Sequence, residues 1–179
     1  MAGAALGKSH RFRVWGPLSA FGLAIAVATV VADQASKLWL LNVFDLAGRA
    51  RVAITPFLDL VVIWNTGISY GLFQREGLSA LWALLAFKAV AVVLLSIWLA
   101  RASSRLTAAA LGLIIGGAIG NAVDRLHWPG VMDFVHFHVE RGGVNFSWYV
   151  FNLADCAIVA GVIGLLYDSL WTGSAAKAP

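Results

Sequence analysis

A chain of 179 residues that is 60% hydrophobic and 12% charged is one domain's worth of material, and far too apolar for a soluble globule of that size. The solvent for most of it must be lipid. Its formal charge of +4 then reads as membrane orientation and attraction to anionic headgroups; no aromatic-basic interleaving suggests a nucleic-acid surface, and nucleic acid is excluded as an expected partner.

Residues 1–13 form a polar, basic lead-in with too little apolar surface to order itself. Uncharged runs at 14–32 and 106–123 hold 19 and 18 residues, close to the ~20 that cross a hydrocarbon core. Two further runs, 78–100 and 152–167, are each interrupted once, by Lys88 and by Asp155. The expected spans are therefore about 14–42, 77–100, 106–126 and 151–172, one membrane domain over 14–172 with a short tail at 173–179. The basic start and the run after it also resemble a secretory leader, with Val30-Val31-Ala32 as its cleavage site. The run is longer than a usual leader core, and residues 33–44 stay compatible with a membrane helix, which favours a retained first span.

With four spans, Lys8, Arg11, Arg13, Arg101, Arg105 and Lys177 share one side, against Arg49, Arg51, Arg75 and Arg141 opposite. That bias puts both termini in the cytoplasm. Between the first two spans, Leu60-Val61-Val62-Ile63-Trp64 has strand chemistry. Residues 131–139, the turn-like Glu140-Arg141-Gly142-Gly143 and residues 144–150 predict a hairpin. Both segments fall on the outer side, where Trp128, Trp148 and Tyr149 suit the interfacial belt. The fold class that follows is a mainly α membrane protein: four transmembrane helices and a small extracytoplasmic β-rich cradle and hairpin, roofing a site at the outer surface.

Asp133 and Asp155 are the candidates for chemistry, because a carboxylate among apolar runs is costly and is a functional hypothesis by default. Asn152 and Asp155, three apart at the start of the last span, also fit a helix cap. Asp133 has no such explanation and no cation beside it in sequence. Asp33 and Lys37 stand i, i+4 with the acid first, as an ion pair anchoring the first helix would. Asn121, Asp124 and Arg125 share a face near the end of the third helix. Plain helix termination with Arg125 snorkelling explains them, and so does an Arg125 fork holding a peptide carbonyl or carboxylate.

Ala108, Gly112, Gly116 and Gly120 leave that helix a bare face, for close packing or to admit a long chain. His127, His136 and His138 have weak metal spacing. Alternation turns Asp133 away from His136 and His138, so rim histidines are expected. Cys156, the only cysteine, excludes an intrachain disulfide and reads as a small core residue. Lys88 lies mid-span and needs a partner or a watery cavity.

Five ordered motifs resemble the lipoprotein signal peptidases, the signal peptidase II family of bacterial aspartic membrane enzymes. They are Asp33-Gln34-Ala35-Ser36-Lys37, Asn65-Thr66-Gly67 with Gly71, residues 116–125 from Gly116 to Arg125, Val131-Met132-Asp133-Phe134, and Phe151-Asn152-Leu153-Ala154-Asp155. Met132 stands where the family often has Val, and Ile68-Ser69 where small residues are common. The resemblance implies Asp133 and Asp155 as a catalytic dyad, with Asn65, Asn121, Arg125 and Asn152 lining the substrate site. It implies Asp33, Lys37 and Asp124 as its support, beside Gly116 and Gly120 of the glycine face.

The implied substrate is a diacylglyceryl-modified prolipoprotein cut just before its lipidated cysteine, in the bacterial inner membrane. No metal or organic cofactor is implied, and a monomer in contact with membrane lipids is expected. Two like charges in a poorly solvated site share one proton, which equips the pair to activate water and polarise a carbonyl; the roles of the two are not assignable from sequence. The strand-like segment at Asn65, followed by Gly67 and Gly71, is expected to close over the peptide. A proton-coupled transporter and a non-enzymatic lipoprotein scaffold are the competing classes; four helices without a repeat argue against the first.

Overall fold

The computed structural model describes residues 14–67 and 78–175. Lys8, Arg11, Arg13, Ile68, Ser69, Gly71, Arg75 and Lys177, all used above, lie outside the described residues. Four helices carry the fold: α1 (Ser19–Asn42), α2 (Leu78–Leu99), α3 (Arg105–His127) and α4 (Leu153–Ala175). All four are long and apolar enough to cross a membrane. They expose large apolar side chains such as Val27, Phe87, Val93, Ile163 and Leu170, a surface that only lipid tolerates. α1 runs unbroken through Val30-Val31-Ala32.

α3 is the hub, packed against α1, α2 and α4. Its glycines explain how closely. A Cβ at Gly112 would sit 2.4 Å from the Gly22 carbonyl oxygen, and one at Gly116 2.6 Å from that of Ala26. The bare face is therefore covered by α1: of its two readings close packing holds, and the alternative of admitting a long chain is corrected, because backbone fills the space. Gly117 meets α4 in the same way, at the Ala154 carbonyl. Small residues at such crossings let backbones approach where no hydrophobic drive exists.

The two non-helical segments join in one antiparallel sheet, ordered β1 (Val52–Thr55), β2 (Leu58–Asn65), β3 (Val131–Arg141), β4 (Val144–Ser147). The β3–β4 turn is tighter than expected, only Gly142-Gly143, both at positive φ, as a two-residue hairpin loop demands. One apolar core of Ala26, Leu99, Ala108, Leu111 and Ile115 lies in the bundle away from the sheet. A second, with Leu40, Leu46, Met132 and Phe134, joins sheet to helices.

Candidate active site

Strand pairing, one bridge and a helix cap bring Asp133 and Asp155 together. On one side, β2 pairs with β3 so that Ile63 faces Asp133 and Asn65 faces Val131, which sets Asn65 diagonally across from Asp133. On the other, Phe151 bridges to Val135 of β3: its N–H donates to the Val135 carbonyl at 3.0 Å and its own carbonyl accepts from Val135 N at 2.8 Å. That bridge delivers the start of α4 beside Asp133. Asn152 then caps α4, its Oδ1 accepting from Asp155 N at 3.0 Å while Asn152 N donates to Asp155 Oδ2 at 3.2 Å. This is a reciprocal capping box, so the cap reading of these two residues holds, and the same cap aims Asp155 at Asp133.

Amides link the two carboxylates. Asn152 Nδ2 donates to Asp133 Oδ1 at 2.6 Å and to Asn121 Oδ1 at 3.1 Å; Asn121 Nδ2 donates to Asp155 Oδ1 at 2.9 Å, and Asn65 Nδ2 to Asp133 Oδ2 at 3.1 Å. Asp133 is buried, 3% exposed, while Asp155 is partly exposed. Burial first, and then the charge of Asp155, push the Asp133 carboxyl from 3.8 up to about 6, against the hydrogen bonds from Asn65 and Asn152.

Arg125 is buried, which corrects the snorkelling alternative. Its fork does hold peptide carbonyls, those of this chain: Nη1 donates to Asn121 O at 3.0 Å and Nη2 to Gly67 O at 2.9 Å. Gly67 N in turn donates to Asn65 Oδ1 at 3.1 Å. Asn65 is thus held in the paired strand β2, while most of the segment expected to close over a peptide follows it, at residues outside the described ones. Gly71, the second glycine of that reading, lies outside the described residues.

Beneath the pair, the fully buried Lys37 ammonium bridges two fully buried carboxylates, Asp33 at 2.8 Å and Asp124 at 2.7 Å. Asp124 is therefore not a solvated helix end. Each acid also accepts a backbone N–H, Asp33 from Ala154 at 3.0 Å and Asp124 from Met132 at 3.0 Å. One cation so ties α1, α3, α4 and β3. Gly120 leaves the room, since a Cβ there would fall 2.7 Å from Asp33 Oδ2. Gln34, quoted in a motif but given no role from sequence, completes the cluster by donating to Asp124 Oδ1 at 2.7 Å and to Gly120 O at 3.2 Å. Its signal was its place between Asp33 and Lys37.

A second polar cluster was missed. Asp59 of β2 is fully buried, its Oδ2 2.6 Å from Arg51 Nε, 2.8 Å from His138 Nε2 and 3.6 Å from His136 Nδ1. Neither near nitrogen is aligned for a hydrogen bond, so the Arg51–Asp59 attraction is one of charges. His138 is buried, which corrects the rim placement for that residue; its Nε2 accepts from Arg51 Nη2 at 3.0 Å. His136 is partly buried on the same face, and His127 is exposed. An acid inside the strand run 58–65 was the signal available. Among the described residues no group of three or more His, Cys, Asp or Glu side chains is arranged to hold a metal ion. Cys156 is exposed, not in the core, because its side of α4 faces outward.

A family model described as Signal peptidase (SPase) II matches residues 25–171. The chain is 63% identical over 158 residues to the lipoprotein signal peptidase of Nitrobacter hamburgensis, covering 88% of this chain and 96% of that protein. It is 56% identical, with the same coverage, to that of Rhodopseudomonas palustris (strain TIE-1). Against that of Methylorubrum extorquens it is 55% identical over 149 residues, 83% of this chain and 85% of the other. Two solved bacterial membrane enzymes, both determined by the in meso method, share the fold. Their TM-scores are 0.72 and 0.68 at 20% and 22% identity, over 94% and 90% of this chain and 97% and 98% of theirs.

Proposed function

Because the chain belongs to the signal peptidase II family, we propose that Asp133 and Asp155 are its catalytic pair and that Asn65, Asn121, Arg125 and Asn152 hold them and the scissile segment in register. The activity is removal of signal peptides from prolipoproteins. The observation that supports the assignment of the pair is Asn152, which donates to both carboxylates at once.

Burial and the charge of Asp155 raise the Asp133 carboxyl, so that it retains a proton. Asp133, the more buried, is the natural holder of that proton and donates it to the scissile carbonyl oxygen. Asp155, more open to water, accepts a proton from the attacking water as its oxygen bonds the carbonyl carbon. The gem-diol then collapses: the proton gained by Asp155 goes to the departing amine, and one hydroxyl returns its proton to Asp133 as the carbonyl re-forms. The supporting ion cluster of Asp33, Lys37 and Asp124 fixes the helix ends that carry Asn121 and Asp155, together with the Gly116 and Gly120 crossing.

The substrate of this reading is a diacylglyceryl-modified prolipoprotein, cut just before the lipidated cysteine. Its acyl chains stay in lipid while the peptide bond reaches the polar rim of the bundle, which suits a pair lying between helix ends and sheet. Arg101 and Arg105 flank the α2–α3 connection, at the far end of the bundle from the sheet, which supports a cytoplasmic location for that end and an outer-leaflet site in the bacterial inner membrane. Both termini are then cytoplasmic and the enzyme acts as a monomer, with one membrane domain over 14–172.

Purified full-length protein, incubated with a diacylglyceryl-modified prolipoprotein and with its unlipidated form, tests the reading. Cleavage of the lipidated form alone, and its loss in Asp133→Asn and Asp155→Asn with binding retained, is the expected result. Undiminished cleavage by either variant would overturn the pair, and equal cleavage of both precursors the substrate.

A further inference from the structure

Lys88 is the one charged residue of α2, and nothing in the reaction above uses it. It stands ten residues into the helix, about 15 Å along its axis, where a cation needs a partner or a polar cavity. The burial pattern places it on the inner side. Leu81, Leu84, Leu85, Lys88, Val92, Leu95 and Leu99 recur at helical spacing as the shielded stripe, while Trp82, Phe87, Val90 and Leu94 face outward. Among the described residues the ammonium has no hydrogen-bond or ion-pair partner.

The stripe changes character at this lysine. Beyond it, Val92, Leu95 and Leu99 pack into the bundle core. Before it, Leu81, Leu84 and Leu85 belong to neither apolar core. α2 packs on α3, and among the described residues no other helix makes a comparable contact with it. Lys88 stands within electrostatic reach of Asp155, Asp124, Arg125 and Lys37, which places it near Asp155 of the candidate pair.

Resting on the proposed function, we infer that Lys88 is a substrate-binding residue whose ammonium donates hydrogen bonds to carbonyl oxygens that the substrate brings into the bilayer. Two parts of a lipidated precursor carry such oxygens. The last turn of a membrane-spanning signal helix leaves its carbonyls without intrahelical partners and is the negative end of the helix dipole. The esters of the diacylglyceryl group add two more. In hydrocarbon no water serves either, and three ammonium donors do. The unpartnered lysine and the unpartnered carbonyls thus satisfy each other only in the complex.

Steady-state kinetics of the full-length enzyme in detergent micelles test this with Lys88→Met and Lys88→Arg. KM for the diacylglyceryl prolipoprotein should rise roughly ten-fold in Lys88→Met, the factor of one charge-assisted hydrogen bond. Expected alongside are an unchanged kcat, an unlowered unfolding midpoint, and recovery of KM in Lys88→Arg. A precursor carrying ether-linked chains identifies the acceptor. Ester binding raises KM for that precursor on the unmodified enzyme and makes it indifferent to Lys88→Met; binding to helix carbonyls leaves both precursors equally sensitive. An unchanged KM in Lys88→Met, or a loss confined to kcat or to stability, overturns the inference while leaving the pair intact. Failure of the unmodified enzyme to cut any lipidated precursor would instead remove the proposed function.

Discussion

Asn152 stands 2.6 Å from Asp133 through its side-chain amide, and its backbone N–H reaches Asp155 at 3.2 Å. A residue that caps a helix and bridges two acids should lose both functions when truncated. Asn152→Ala is expected to reduce kcat by about 100-fold, a loss comparable to that of one preorganised donor. The lost cap should cost about 1 kcal/mol of stability. Thermal unfolding and turnover of the same preparation separate the two effects.

The pH dependence has a defined sign. With its carboxyl raised to about 6, folded Asp133 keeps a proton that the unfolded chain, near 3.8, has lost. Stability from this group is therefore present below about pH 4 and declines as pH rises through 6. Unfolding midpoints of the unmodified protein should fall relative to those of Asp133→Asn across that window, with no further divergence above it. In kcat/KM the loss of the Asp133 proton should appear as an alkaline limb starting near pH 6, and a profile flat from pH 5 to 8 would contradict the proton assignment.

Lys37 neutralises two carboxylates that are, like itself, fully buried. Replacing it by Met leaves both without their cation, and breaking buried pairs in this way costs about 3–5 kcal/mol. The expected outcome is a large fall in the unfolding midpoint in detergent. Lys37→Arg should recover little of it, because the bulkier fork meets a pocket already filled by Gln34 and closed by the Gly120 crossing.

The glycines divide into two classes that substitution to Ala can tell apart. At Gly116 the new Cβ meets backbone 2.6 Å away, so α1 and α3 must separate at a cost of about 1–3 kcal/mol. At Gly142 nothing lies within 4 Å, and only the positive φ resists, at about 1 kcal/mol. Unfolding midpoints should rank the variants in that order.

Asp59→Ala removes a fully buried acid from β2, leaving Arg51 with only its contact to His138 Nε2 and no carboxylate beside it. Since β2 and β3 carry Asn65 and Asp133, slackening their ladder should lower kcat as well as the unfolding midpoint. Unchanged turnover would show that the two ends of the ladder are independent.

Much of this molecule was legible in one dimension, and the reason is energetic. Lipid forces spans to declare themselves by length and lack of charge, and it makes every acid left in or beside them conspicuous, so the four helices, Asp133 and Asp155 could be named before any fold was known. The Asp33–Lys37 pair was legible because both members lie one helical turn apart. Relations between distant segments were not. That Phe151 docks on β3, that Lys37 also serves Asp124, that α1 covers the glycine face and that Asp59 meets His138 all depend on which backbone faces which. Hydrogen bonds and close crossings are directional and short-ranged, so a list of residue types holds no record of them; only the packed chain decides which donor meets which acid.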